Sequence, residues 1–270
     1  MNYFILFFIF LFGLCWGSFI NCLIWRLHKD ESLWGRSYCP KCRHQIAWYD
    51  NVPVLSFLIL GRKCRHCGKG ISFQYPLVEL ITGTLFMIAW QKELGIMNYE
   101  LWFLNSNFLI HNSLFIIQIL RDWLIIAVMI IIFIYDLRWY LILDAVTLPA
   151  AGALFVLNLF LGFSWLNLII CGIIGASFFL AQFIISRGKW IGGGDIRLGL
   201  LMGLALGRLD LLVLAIMLAY FMGSIVGVSL MMAGKKKWGS KLPLGVFLST
   251  ATVITLFWGE RILGWYLGLF

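Results

Sequence analysis

Apolar runs long enough to cross a bilayer recur from residue 3 to residue 264 of this 270-residue chain. Backbone in hydrocarbon finds no water to bond with, so a spanning segment satisfies its N–H and C=O groups only as a helix or in a closed barrel. Barrel strands alternate residue by residue, and these runs do not. With 62% hydrophobic and 12% charged residues, far from the averages of soluble domains, the sequence describes an all-α polytopic membrane protein. The apolar stretches place helices over 3–25, 77–91, 112–135, 142–160, 165–186, 198–207, 210–232 and 243–262, eight in all. The second and sixth are short for a core of about 30 Å, which predicts tilt, extension into the flanks or shielding by neighbours. Residues 92–111 read as an interfacial or extracytoplasmic loop. The organisation expected is a first transmembrane helix (1–25), a small polar domain inserted after it (26–76) and a helical membrane core (77–270).

Basic residues orient the chain. Nine of the 21 Lys and Arg fall in 26–76, four in 235–241 and three in 187–197, and Arg138 follows the third helix. With eight crossings these share one side, which the positive-inside bias makes cytoplasmic, with both termini outside. The N-terminus lacks a basic n-region, so its apolar run reads as an uncleaved first helix. The net charge of +9 is accounted for by anionic lipid headgroups and needs no nucleic acid.

The polar segment carries a metal signal. Cys39 and Cys42 in "YCPKC" and Cys64 and Cys67 in "KCRHC" form two pairs with two residues inside each, the spacing with which two hairpins bite one tetrahedral zinc. A redox pair would need a thioredoxin-like context that is missing. Four Cys ligands leave no open position for water, so such a zinc is structural. His44 and His66 adjoin the pairs, but the regular Cys spacing leaves them no ligand place. Cys15, Cys22 and Cys171 lie in apolar runs and read as small packing residues.

The carboxylates divide by what they cost. Asp30, Glu31, Asp50 and Glu93 read as solvated loop residues, while Asp122 and Asp210 stand beside basic residues and read as boundary anchors. Asp136, Asp144 and Asp195 fall at the cytoplasmic ends of apolar helices, and an ionisable group there commonly marks function. If the helices of Asp136 and Asp195 are neighbours, with "GGG" (192–194) permitting close approach, two carboxylates sharing a proton can activate water and protonate an amide. Residue chemistry leaves two functional readings open, an intramembrane aspartic protease and an ion-coupled transporter. A third reading has either Asp capping a helix or pairing with Arg138 or Arg197. A phosphate loop is not supported, because no Gly-Lys-Ser or Gly-Lys-Thr follows.

Several motifs in order resemble the bacterial prepilin peptidase (type IV leader peptidase) family over nearly the whole chain. They are "GSFINCLIWRL" (17–27), the Cys-rich stretch from "RSYCPKC" to "YPLVELITG" (36–83), "DLRWYLILDAVTLP" (136–149), "GGGDIRLGLLMG" (192–203) and "KLPLGVFL" (241–248). The resemblance implies an aspartic endopeptidase of the bacterial inner or cytoplasmic membrane, with Asp136 and Asp195 as catalytic pair and Asp144, Gly192 and Gly194 supporting them. It implies type IV prepilin or type II secretion pseudopilin substrates, cut after the glycine that ends the leader. The complete Cys-rich segment resembles the bifunctional form, which also N-methylates the new terminus from S-adenosylmethionine; Glu79 is a candidate for binding an amine or that donor, and reads alternatively, and more simply, as one side of an interfacial salt bridge. Leu143 stands where the family often has Pro, and Gly193 fills a variable place.

Overall fold

The computed structural model describes residues 3–104, 108–235, 237 and 240–268, with the side chains of 96–112 not described. Its helices are α1 (Tyr3–His28), α2 (Leu55–Ile59), α3 (Gln74–Leu104), α4 (Phe108–Trp139), α5 (Asp144–Phe160), α6 (Trp165–Ser186), α7 (Gly193–Leu206), α8 (Leu209–Met232) and α9 (Leu244–Leu267), with a 3₁₀ turn at Trp48–Asn51. Among the described residues no strand longer than an isolated bridge occurs. The chain is an all-α, multi-pass membrane protein.

Among the described residues, five helices are long and apolar enough to cross a membrane: α1, α4 from Ser113, α6, α8 and α9. Eight were expected. α5, with 17 residues, and α7, with 14, fall short of a bilayer core, α7 rising only about 21 Å. In α3, Gln91, Lys92 and Glu93 dilute the apolar run.

Residues 92–104 and 108–111 are helical, not loop; 105–107 lie outside the described residues. The reason is local, since "QKELGIMNYELWFL" is mostly good helix formers with no proline to stop it. Glu93, expected in water, is instead buried in α3 and paired with Lys92 at 3.0 Å. Asp122, expected at a boundary, is fully buried in α4, where it accepts from Arg121 Nε and Nη2 at 2.9 and 2.7 Å. Of the three spare cysteines only Cys171 is buried, while Cys15 lies on the exposed face of α1.

Contacts divide the chain into two units, Met1–Gly95 and Ile96–Phe270. In the first, α1 and α3 touch backbone to backbone, for a methyl group on Gly17 would stand 2.6 Å from Glu79 Cα. Asn21 binds the two helices by donating from Nδ2 to the carbonyls of Gly17 and Tyr75 and accepting from Gln74 Nε2. Arg26, at the end of α1, is buried because its guanidinium donates to the carbonyls of Leu33, Gly35 and Arg36. These contacts fold the segment after α1 back on the helix end.

The second unit is built around α7. Leu198, Leu201 and Met202 are completely buried, and α7 packs mainly on α6 and α5, with further contacts to α8 and α9. Small residues make the approach possible, since a methyl on Gly199 would lie 2.4 Å from Gly175 O and one on Gly203 2.2 Å from Cys171 O. Close packing of this kind holds helices together where lipid offers no hydrophobic drive. Asn158 and Asn167 donate to the carbonyls of Leu204 and Gly207 at 2.7 and 2.6 Å, satisfying groups that a helix end leaves open. A short helix sheathed in this way has no need to match the lipid thickness.

Candidate functional site

α7 begins at Gly193, earlier than the apolar pattern suggests, which places Asp195 in its first turn. The Gly192 N–H donates to Asp195 Oδ2 at 2.9 Å, and the Asp195 N–H to Gly192 O at 3.2 Å. The carboxylate therefore caps its own helix at the end where free N–H groups favour negative charge. Of the three glycines only Gly194 is sterically demanded, because a methyl there would stand 2.8 Å from Ile142 Cβ. A side chain at Gly193 would meet nothing within 4 Å.

Asp136 lies one turn from the end of α4 and is anchored by a different helix. The Val246 N–H, in the first turn of α9, donates to Asp136 Oδ2 at 3.2 Å. Gly245 makes room for this, since a methyl at that position would stand 2.9 Å from Asp136 Oδ2 and 3.2 Å from Ile142 Cδ1. Ile142, in the extended link between α4 and α5, thus touches the entries of both α7 and α9. Asp136 and Asp195 are 5% and 7% exposed, low enough that neither is a solvated surface group. They are close enough for the charge of one to act on the other.

The helices carrying the two aspartates are not extensive partners. α4 packs chiefly on α9 and α5, and both of these pack on α7, so the two helices are linked through shared neighbours, with Ile142 beside the entries of α7 and α9. Neither pairs with a cation among the described residues. Arg197 instead forms an ion pair with Asp144 at the start of α5, and the Arg138 guanidinium lies 5.8 Å from the Trp139 ring centre. Sequence reading missed Ile142, Gly245 and Val246 as neighbours of the site. The Val246 contribution is a backbone group, which no residue type announces, although "KLPLGVFL" marks the segment.

The first unit holds a different cluster. The sulfurs of Cys39, Cys42, Cys64 and Cys67 lie within 4.8 Å of one another. A tetrahedral zinc with Zn–S bonds of about 2.3 Å asks for sulfurs about 3.8 Å apart, so the set fits a structural ion. The two knuckles repeat at an offset of 25 residues. Cys39 N donates to His44 O and Cys64 N to Lys69 O; Arg43 N donates to Cys39 O and Gly68 N to Cys64 O; Ile46 N donates to Ser37 O and Ile71 N to Arg62 O. The His44 and His66 rings stack with centres 4.0 Å apart. The backbone N–H groups of Cys67 and His66 face the Cys64 sulfur and lower its thiol to about 7. Asp50 forms a bidentate pair with Arg65 at 2.7 and 2.8 Å and is held below the usual carboxylate range by it.

Glu79 is buried on α3. Its Oε2 accepts the Val54 N–H at 2.7 Å, and Ser18 of α1 also bonds to the carboxylate.

Two buried carboxylates at helix ends in one unit, and a four-cysteine knuckle that could hold a metal ion in the other, characterise this multi-pass membrane protein. Residues 11–92 match the bacterial peptidase A24 N-terminal domain and residues 123–228 the type IV leader peptidase family. A prepilin leader peptidase/N-methyltransferase of Aeromonas hydrophila is 30% identical over 290 aligned positions, covering 96% of this chain and 92% of the relative. One from Pseudomonas aeruginosa is 29% identical over 288, covering 95% and 91%, and one from Myxococcus xanthus 50% identical over 93, covering 32% and 28%. The chain belongs to the type IV leader peptidase family. No solved structure matches it.

Proposed function

We propose that this chain is a membrane-embedded aspartic endopeptidase that removes the leader of type IV prepilins or type II secretion pseudopilins, cutting after the leader's terminal glycine. The observation that carries this reading is that Asp136 and Asp195 are both buried, each held through Oδ2 by a backbone N–H at a helix start, and near enough for the charge of one to act on the other. In this reading the two carboxylates act together on water and the scissile amide. One carboxylate accepts a proton from water as the oxygen attacks the carbonyl carbon. The other supplies a proton to the leaving nitrogen as the C–N bond breaks, with no covalent acyl-enzyme. Asp144 supports the site by tying the start of α5 to α7 through Arg197, and Gly192 and Gly194 shape the turn that presents Asp195. The relatives' printed name supports the substrate class.

Cys39, Cys42, Cys64 and Cys67 would hold one zinc, whose work is to order the segment between α1 and α3. The family's bifunctional naming supports a second activity, N-methylation of the new terminus from S-adenosylmethionine. Glu79, whose carboxylate accepts from the Val54 N–H and bonds to Ser18, is the residue this reading offers to such a donor, with acceptor sites left beyond those two bonds. In the cell the chain sits in the bacterial cytoplasmic membrane, with the Cys-rich segment cytoplasmic and both termini outside.

Reconstituted protein and a leader-bearing substrate test the reading. Wild type should cut the peptide, and Asp136→Asn and Asp195→Asn should each lose about 10²–10⁴-fold in rate while inserting normally. Ordinary cleavage by both folded variants would remove the assignment, and ion movement across vesicles without cleavage would favour a transporter. Labelled S-adenosylmethionine supplied with cleaved substrate separates the second activity, since unmodified product beside an active peptidase restricts the chain to proteolysis.

A further inference from the structure

The segment between the two cysteine knuckles contrasts with the knuckles themselves. Residues 51–61, "NVPVLSFLILG", contain no charged side chain, whereas Lys41, Arg43, Arg62, Lys63, Arg65 and Lys69 crowd the knuckles on either side. α2 lies in this stretch, and its two sides differ. Ser56 and Phe57 face inward and are 8% exposed each, while Leu55, Leu58 and Ile59 are 57%, 66% and 77% exposed. Positions i, i+3 and i+4 form one face of a helix, so α2 presents a continuous apolar face outward.

The depth of α2 follows from its tether. The Val54 N–H, just before α2, is bonded to Glu79, and Glu79 packs on Gly17 of α1. Gly17 lies nine residues before Arg26, the first charged residue of α1, which is about 13 Å along a helix axis. The start of α2 is therefore held well inside the level at which α1 first carries charge. Its backbone suits that place. The N–H groups of Leu55, Ser56, Leu58, Leu60 and Gly61 each donate to a nearby carbonyl, and the Val54 N–H is served by Glu79. Backbone at membrane depth requires such internal satisfaction.

We propose that residues 51–61 re-enter the bilayer at the C-terminal end of α1, with Leu55, Leu58 and Ile59 against the acyl chains and the basic knuckles against anionic headgroups. The occupant of this face is lipid. The cysteine unit is consequently seated on the membrane surface by its own middle, and Glu79 is the group that pins it there. Basic shoulders around an apolar wedge are the pattern by which interfacial segments hold anionic leaflets.

The test uses the unsubstituted full chain in liposomes of phosphatidylethanolamine and phosphatidylglycerol, doped with a phospholipid carrying a diazirine in its acyl chain. After illumination, adducts are mapped by peptide mass spectrometry. Labelling of Leu55, Leu58 or Ile59 comparable with that of Phe7 and Phe8, which α1 exposes at 56% and 52%, is expected, with none on residues 37–45. Absence of label from 55–59 in a sample where α1 is labelled overturns the proposal, whether water, a second copy or a peptide covers the face. The measurement requires no turnover, so it stands or falls independently of the peptidase reading.

Discussion

Val246 donates its backbone N–H to the Asp136 carboxylate across 3.2 Å, so a side chain from α4 caps α9. The contact joins residues 110 positions apart in sequence. It means that the placement of Asp136 depends on where α9 begins as much as on α4 itself.

Gly245→Ala tests that dependence. The added methyl would stand 2.9 Å from Asp136 Oδ2, so the carboxylate or the entry of α9 must shift. Displacing a reacting group by about 1 Å costs about 10²-fold in rate. Cleavage should fall by about that factor, measured on reconstituted protein whose insertion is unchanged. Wild-type turnover would show that Asp136 need not hold this position.

The three consecutive glycines should respond differently to the same change. Gly193→Ala meets nothing within 4 Å and should retain cleavage. Gly194→Ala would press on Ile142 Cβ from 2.8 Å, an overpacking worth about 1–3 kcal/mol. Its melting temperature and rate should both drop. Equal tolerance at the two positions would contradict the close approach of α7 to the link before α5.

Cysteine alkylation in metal-free protein should rank the thiols. The Cys64 thiol is lowered to about 7, so roughly half is thiolate at neutral pH. At Cys42 the His44 N–H favours the thiolate, but desolvation and the neighbouring thiols of Cys39, Cys67 and Cys64 prevail and push it up to about 11. Iodoacetamide at pH 7 should therefore mark Cys64 well before Cys42, read by peptide mass spectrometry. Because the Cys64 value is depressed, its thiolate is fully formed above about pH 7 and its reaction slows as pH falls through about 7, while its advantage over Cys42 shrinks only as pH rises toward about 11. Zinc should suppress the reaction at both positions.

Arg197→Ala breaks the ion pair with Asp144, whose two side chains are 46% and 47% exposed. Pairs this open contribute at most about 1 kcal/mol. Thermal stability should change little, and cleavage should survive where Asp136→Asn abolishes it. A loss as deep as that of Asp136→Asn would give Asp144 a direct part in the chemistry.

Much of this molecule is legible in its sequence where the physics is local. Long apolar runs announce α1, α4, α6, α8 and α9, and the two Cys pairs announce the cluster that the fold assembles. Asp136 and Asp195 stand out because a carboxylate at a helix end in lipid is expensive. What stays hidden depends on partners. Residues 92–104 look polar enough for a loop, yet nothing in them stops a helix. The partner of Asp136 is the backbone of Val246, and that of Glu79 is the backbone of Val54, groups that every residue carries. The apolar 51–61 stretch disappears into the average of a basic segment until the fold ties it to α3.

The bond-for-bond repeat of the two knuckles bears on how this part of the chain comes together. Each half offers two thiols, so half a repeat cannot close a tetrahedral site, and an ion is held only when both halves arrive. The 21 residues between Cys42 and Cys64 then form a ring whose closure carries a length-dependent entropy of about 2.7 kcal/mol. An ion that clamps both ends takes that entropy out of the competition between ordered and slack chain. Metal supply would thereby act as a switch on the contour of the segment between α1 and α3, long before it touched the helices.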